Sequence, residues 1–197
     1  MADEVKLTTA MDWPAADDLK TADVMVFYQQ GKWTPERAQD IDAYLARGGG
    51  LVYLHYAVDG GADAPGFAQR IGLAWRGGES KFRHGPLDLG FEGGSRHPIG
   101  RNFDMVHLED ESYWNLTGDP KRIQVLAGGV EDGRSQPLFW TLEPSKGRVL
   151  VSIPGHFAWT FDDPLFRVLL LRGIAWAARE PVDRFNVLVT PGARVKR

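Results

Sequence analysis

No cysteine occurs in this chain of 197 residues. That absence excludes disulfides, thiolate-bound metals, iron–sulfur clusters and catalysis through a thiolate nucleophile. Positive charge is not in excess either: 23 Lys and Arg stand against 26 Asp and Glu, a formal net charge of -3. Nothing attracts a phosphate backbone, and no nucleic-acid partner is expected. Long apolar runs are missing as well. The most apolar C-terminal stretch, Val168 to Ala178, is interrupted by Arg172, so no membrane association is expected. The opening Met-Ala-Asp-Glu-Val-Lys lacks the basic-then-apolar order of a secretory leader, which makes the cytoplasm the expected location, with the periplasm as the alternative if a signal peptide has been removed. The glycine runs at 48–50 and 77–78 form no phosphate loop, because the first closes a helix instead of opening one; no nucleotide cofactor is expected.

What is present is an ordinary globular composition, 43% hydrophobic and 25% charged with 23 Gly and 12 Pro, and a length that suits a single domain spanning 1–197. Val5 to Thr9 alternates weakly and reads as a short strand. Ala22 to Tyr28 and Leu51 to His55 are continuous apolar runs of the kind buried on both faces of a sheet. Between them Thr34-Pro35 opens a helix that ends at Arg47 and Gly48-Gly49-Gly50. This strand–helix–strand order predicts a parallel α/β sheet. Ala64 to Ile71 reads as a short helix closed by Gly72. Gly77 to Gly94 reads as a long glycine-rich and charged loop with a brief strand at Leu87-Asp88-Leu89. Strands are expected at Phe103–Leu108, Ile123–Leu126, Pro137–Leu142 and Arg148–Ile153, a β-rich insertion before a final helix capped by Asp163-Pro164 and running to about Arg179.

Sites in open α/β sheets form where the strands end at their carboxyl side. His55 ends one buried strand, and His156 follows another through Pro154-Gly155. His84 lies in the glycine-rich loop, His97 precedes a proline as a turn residue, and His107 sits inside a strand, where core packing or cross-strand pairing suits it. Glu109-Asp110-Glu111 reads as a solvated acidic turn unless one carboxylate turns inward to meet His55 and His156. Two or three imidazoles with a carboxylate are the ligand chemistry of a divalent metal and equally of acid/base catalysis. Among the seven tryptophans, Trp33, Trp114, Trp140 and Trp159 fall near strand ends or loops, where an indole face can pack on a sugar ring or simply be buried.

Gly48-Gly-Gly-Leu-Val-Tyr-Leu-His55-Tyr-Ala, Phe82-Arg-His84, His97-Pro98-Ile, Asp110-Glu111-Ser-Tyr113, Lys146-Gly-Arg-Val, Gly155-His156 and Phe161-Asp-Asp-Pro-Leu-Phe-Arg together resemble the ThuA-like, trehalose-utilisation family, in order from about 22 to 178. Each stretch is short, and it is their common register that carries the signal. The resemblance implies the class I glutamine amidotransferase-like superfamily: a flavodoxin-like three-layer sandwich with a mostly parallel central sheet. Where the glutaminases carry their cysteine, this chain has His55, so the thioester route of a glutaminase is excluded. The resemblance further implies carbohydrate utilisation, on disaccharides or their keto derivatives, and a polar site at His55, His84, Glu111 and His156. It also implies an opening strand and helix before the segment equivalent to Val5–Thr9. Their absence points to truncation, to a rearranged sheet, or to a strand supplied by a partner, and so to a homo-oligomer.

Two functions follow as expectations. One is an enzyme, an isomerase, lyase or hydrolase, with one divalent metal (zinc or manganese) on His55, Glu111 and His156, with His84 as a further ligand or acid/base group, and with Tyr113, Trp114 and Trp140 orienting a carbohydrate. The other is a non-catalytic sugar-binding or accessory module.

Overall fold

The computed structural model describes residues 5–29, 33–91 and 96–189. The polypeptide forms, in order, α1 (Ala16–Thr21), β1 (Val24–Phe27), α2 (Pro35–Ala46), β2 (Gly50–Leu54), α3 (Ala64–Ile71), β3 (Leu73–Ala74), β4 (Lys81–Gly90), β5 (Met105–Trp114), β6 (Thr117–Gly118), β7 (Gln124–Glu131), β8 (Arg134–Leu142), β9 (Arg148–Ser152) and α4 (Pro164–Ala177). Seven strands join one curled sheet in the order β1-β2-β9-β8-β7-β4-β5, and β3 pairs with β6 beside it.

Within this sheet the β1–β2 and β2–β9 pairs are parallel, and the β9–β8, β8–β7, β7–β4 and β4–β5 pairs are antiparallel. The expectation of a mostly parallel sheet is therefore corrected to a mixed one. The reason is local. Asp132-Gly133, both at positive φ, make the tight turn that folds β7 back on β8, and the turn around Ser145 sends β8 antiparallel onto β9. The β-rich segment is thus continuous with the parallel strands.

Leu51 and Tyr53 of β2 face α3, where Phe67 meets the Tyr53 ring edge-on at 5.4 Å. Val52 and its neighbour Leu150 face α4. Close approach on that side depends on glycine. A Cβ at Gly50 would stand 2.3 Å from the Ala177 carbonyl oxygen, and one at Gly173 would stand 2.1 Å from Leu150 Cδ2. Gly50→Ala sets side chain against backbone that cannot yield, and we expect it to cost about 2–3 kcal/mol, a fall of roughly 4–12 °C in Tm by thermal melting. An unchanged Tm would show that α4 is not seated on the sheet in this way.

Several helix signals act as written in the sequence. Thr34 caps α2 by accepting from Arg37 N, and Asp163 caps α4 by accepting from Leu165 N and Phe166 N. Arg172, the charge inside the apolar α4, bonds Asp183 and the Arg101 carbonyl. Among the described residues no helix is long and apolar enough to cross a membrane.

Two elements differ from expectation. Val5 to Thr9 is exposed and forms no strand, since Val5 and Leu7 find nothing to pack on. The presumed glycine-rich loop is mostly the ten-residue strand β4, paired with β5 along its whole length; its last residues, 92–94, lie outside the described residues. Pairing overrides the local signal of Gly85, Pro86 and Asp88. Pro86 is tolerated because β4 meets β7 only at Gly90, leaving most of its other edge open.

His97 and His107 take structural roles. His107 pairs across the strands with Asp88 at 2.6 Å. His97 is buried against Trp176, accepts from Ile99 N–H, and is held below the ordinary histidine value by burial. The native state therefore keeps it neutral while the unfolded chain protonates it near pH 6.5, so its contribution to stability is lost as pH falls from about 6.5. Denaturant titrations from pH 7.5 to 5 are expected to show this loss, and a His97→Gln variant to show less of it. Equal slopes would assign the pH dependence elsewhere.

Candidate active site and metal centre

The parallel strands end in two abrupt turns. β2 runs directly into His55, a non-glycine residue at φ 54 that opens a 3-10 turn. β9 leads through Ile153 and Pro154 to Gly155, φ 138, and His156. Positive φ in a histidine is a strained placement that must be fixed by its surroundings. Here the imidazole is buried, with Nδ1 2.9 Å from the Ile153 carbonyl oxygen. A carbonyl can only accept, so Nδ1 carries the proton and Nε2 presents its lone pair. Burial lowers the His55 pKa, opposed by the Ile153 bond and by Glu111, which keeps this neutral tautomer at neutral pH.

The remaining groups come from β5, which curls over the ends of β2 and β9. Its pattern is period two. Val106, Leu108, Asp110 and Ser112 are buried along one face, while Met105, His107 and Glu109 are exposed on the other until Glu111 and Tyr113 become buried where the strand reaches the site. The expected solvated acidic turn is therefore corrected: Asp110 and Glu111 are 0% and 5% exposed and sit within a strand. The β4–β5 register sets His84 opposite Glu111 and Phe82 opposite Tyr113, so all four share a face.

At the centre, His55 Nε2 lies 3.0 Å from His156 Nδ1, 3.0 Å from the Tyr113 hydroxyl and 3.1 Å from Glu111 Oε2. Glu111 Oε2 is 2.8 Å from His156 Nδ1 and 3.3 Å from the Tyr113 hydroxyl. Burial, reinforced by Glu111, pushes the Tyr113 phenol above its ordinary value, so it remains a hydroxyl donor. His55 Nε2 and the Glu111 carboxylate both accept, so their 3.1 Å approach is not itself a hydrogen bond. The Tyr113 hydroxyl and His156 Nδ1 stand within hydrogen-bond reach of both, and two acceptors this close in a dry setting also suit a cation.

His55, Glu111 and His156 could hold a metal ion, as their three donor atoms lie within 4.8 Å of one another. The donor set fits. Tetrahedral binding at about 2.0–2.2 Å separates donors by about 3.3–3.5 Å, so the cluster would open by a few tenths of an ångström. The His55 Nδ1–H bond to Ile153 is the outer support that metal-bound imidazoles commonly have. His84 stands on the open side, 48% exposed, with Nε2 3.4 Å from Glu111 Oε1.

Of the aromatic residues expected to orient a ligand, only Tyr113 joins this cluster. Trp114 points to the opposite strand face and donates to Asp132; beside it is a separate cavity of about 160 Å³ that Tyr113 also lines. Trp140 is fully buried and donates to the Ile71 carbonyl. It is core, because it lies in the stretch Leu138 to Leu142, which is buried on both faces of the sheet. Aromatic groups not singled out for this role form the rim: Tyr28, whose hydroxyl donates to the Gly155 carbonyl at 2.8 Å; Phe82; and Phe157, which directly follows His156 and stacks on Trp159 at 4.2 Å.

Asp110 is the other residue whose role the sequence hid. Its carboxylate accepts from the backbone N–H of Gly155 at 3.1 Å, of His156 at 2.9 Å and of Glu111 at 2.6 Å, and from the Thr160 hydroxyl. It ties the His156 turn to β5.

No curated protein matches the chain. Among solved structures it is similar to a ThuA-like protein from Parabacteroides merdae (24% identity, TM-score 0.66, covering 79% of this chain and 70% of that one). A ThuA-like protein from Bacteroides uniformis is similar at 19% identity and TM-score 0.63, covering 81% and 71%. A cytoplasmic protein from Salmonella typhimurium is similar at 16% identity and TM-score 0.55, covering 86% and 75%. At these identities the likeness speaks for the fold alone. The family model for ThuA, described as trehalose utilisation, matches residues 2–177, and with most of its length covered the chain belongs to the ThuA family.

Proposed function

We propose that the chain is a metal-assisted enzyme of carbohydrate utilisation, an isomerase, lyase or hydrolase acting on disaccharides or their keto derivatives. The observation that carries this is the facing pair of acceptors, His55 Nε2 and Glu111 Oε2, with His156 Nδ1 beside both. His55, Glu111 and His156 would hold a zinc or manganese ion. Such an ion polarises a carbonyl or activates water when bound. Tyr113 donates its hydroxyl proton toward the same point. His84, half in solvent and adjoining Glu111, is placed to take a proton from a ligand or return it. The rim of Tyr28, Phe82 and Phe157 supplies the flat faces on which sugar rings pack. The family's description as trehalose utilisation supports the substrate class. The three parallel strands between α3 and α4 we take as the flavodoxin-like part of the fold, and the whole chain as a single domain. A cytoplasmic location agrees with that of the Salmonella neighbour, itself a cytoplasmic protein, and a homo-oligomer completes the proposal.

A specific observation also favours the second reading, a sugar-binding module: the central groups already satisfy one another by hydrogen bonds. The two are separated by incubating the zinc- or manganese-loaded protein with trehalose and with 3-keto-trehalose and following products by carbon NMR. We expect conversion of one of them, and a loss of about 10²- to 10⁴-fold in His84→Gln with metal content unchanged. Binding without conversion in the wild type would favour the module.

A further inference from the structure

A small cavity lies at the C-terminal ends of β1 and β2, apart from the imidazole cluster. Its volume is about 30 Å³, room for about two water-sized groups. Phe27, Trp33, Tyr53 and Phe67 line it. Phe27 stacks on Tyr53 at 4.9 Å, and Phe67 meets both the Trp33 ring at 4.5 Å and the Tyr53 ring at 5.4 Å, so these groups are held rigidly. The Tyr53 hydroxyl and the Trp33 indole N–H are both buried and have no hydrogen-bond partner among the described residues. Tyr53 is 3% exposed. Buried donors left unsatisfied are rare in native proteins and point to a missing acceptor. Asp59, on the same lining, supplies an acceptor carboxylate. Arg37, the cation among the lining residues, is held by Asp12 at 2.6 Å, so the cavity has no net positive charge to draw in an anion.

The position matters as much as the chemistry. Tyr53 and Ala57, both on the lining, each stand two residues from His55. Asp59 bridges to Trp75, whose ring lies 4.8 Å from that of Tyr113. The cavity and the cluster therefore flank one stretch of chain.

We infer that this cavity is a second subsite beside the His55 cluster and receives the hydroxymethyl arm of a hexopyranose ring. The inference rests on the carbohydrate reading above. A CH₂OH group matches the volume. Its oxygen accepts from Tyr53 or Trp33, its proton goes to Asp59, and its methylene packs on Phe27 and Phe67. Neutral donors and a carboxylate select an uncharged polyol over a phosphate or a sugar acid.

The test compares methyl glucopyranoside with methyl xylopyranoside of the same anomer, which lacks only that arm, by ligand-observed NMR titration of the metal-loaded protein. We expect the xyloside to bind at least about 10-fold more weakly, because a site built to hydrogen-bond a hydroxyl discriminates against its absence. Tyr53→Phe is expected to narrow that gap while its thermal stability without ligand stays at or above wild type, since it removes an unpaired hydroxyl. If the gap closes in Tyr53→Phe and His55→Ala leaves both affinities unchanged, the subsite stands and the cluster's part in binding sugar falls. If both sugars bind the wild type equally and His55→Ala weakens both, the carbohydrate reading stands and the subsite is overturned. Affinities unchanged in Tyr53→Phe assign the cavity to ordered water and overturn the proposal, as does binding of neither sugar.

Discussion

Asp110→Ala should lower the melting temperature by roughly 6–20 °C, the largest stability loss expected from a single substitution at the site. The carboxylate is fully buried and serves three backbone N–H groups and a hydroxyl. Removing it strands those donors where water cannot replace it, at a cost of about 3–5 kcal/mol for the set, and at this chain length each kcal/mol moves Tm by about 2–4 °C. Asp110→Asn keeps one acceptor oxygen and should lose about half as much. Because two of the donors belong to the Gly155–His156 turn, the surviving folded protein should also hold metal more weakly, even though Asp110 is no ligand. Differential scanning calorimetry beside metal titration checks both effects. A Tm within about 2 °C of wild type would mean that the turn is held by other contacts.

His55→Ala should abolish turnover, by at least about 10³-fold, as expected when a group that acts in concert with its neighbours is removed, while leaving far-UV circular dichroism intact. The side chain is buried at the end of β2, and its truncation removes the one imidazole whose tautomer the fold fixes through Ile153. Alanine must also adopt φ 54 without the hydrogen bond that holds the backbone there, so a modest stability loss of about 1–2 kcal/mol is expected. Full activity in this variant would sink the enzyme proposal at this site.

How far the sequence disclosed these groups follows from the range of the forces involved. β2 and β9 were legible because apolar runs bounded by glycine and proline need no partner to be recognised as buried strands, and His55 and His156 were legible as their ends. β4 was hidden. Gly85, Pro86 and the charges around them look like a loop, and only the ten-residue register with β5 makes them a strand. The placement of Asp110 and Glu111 inside a strand was hidden for a related reason, since neighbouring carboxylates usually mark a solvated turn; Glu111 itself was named as a site residue through the family resemblance. The signal that would have found them was available: alternate positions Val106, Leu108, Asp110 and Ser112 continue one inward face, placing Asp110 inside and Glu111 on the face of Tyr113. Trp140 was misassigned to the site because an indole at a strand is compatible with both burial and ligand contact, and only the packing at Ile71 decides between them. The mixed direction of the sheet was not legible because it depends on tight turns that fix strand direction one hairpin at a time.

The central claim is a divalent metal held by His55, Glu111 and His156, and elemental analysis after exhaustive dialysis tests it most directly. Wild-type protein loaded with zinc or manganese should retain close to one equivalent, and His55→Ala and Glu111→Gln should retain little. Wild-type protein that takes up neither ion, or variants that retain as much as wild type, would contradict the account.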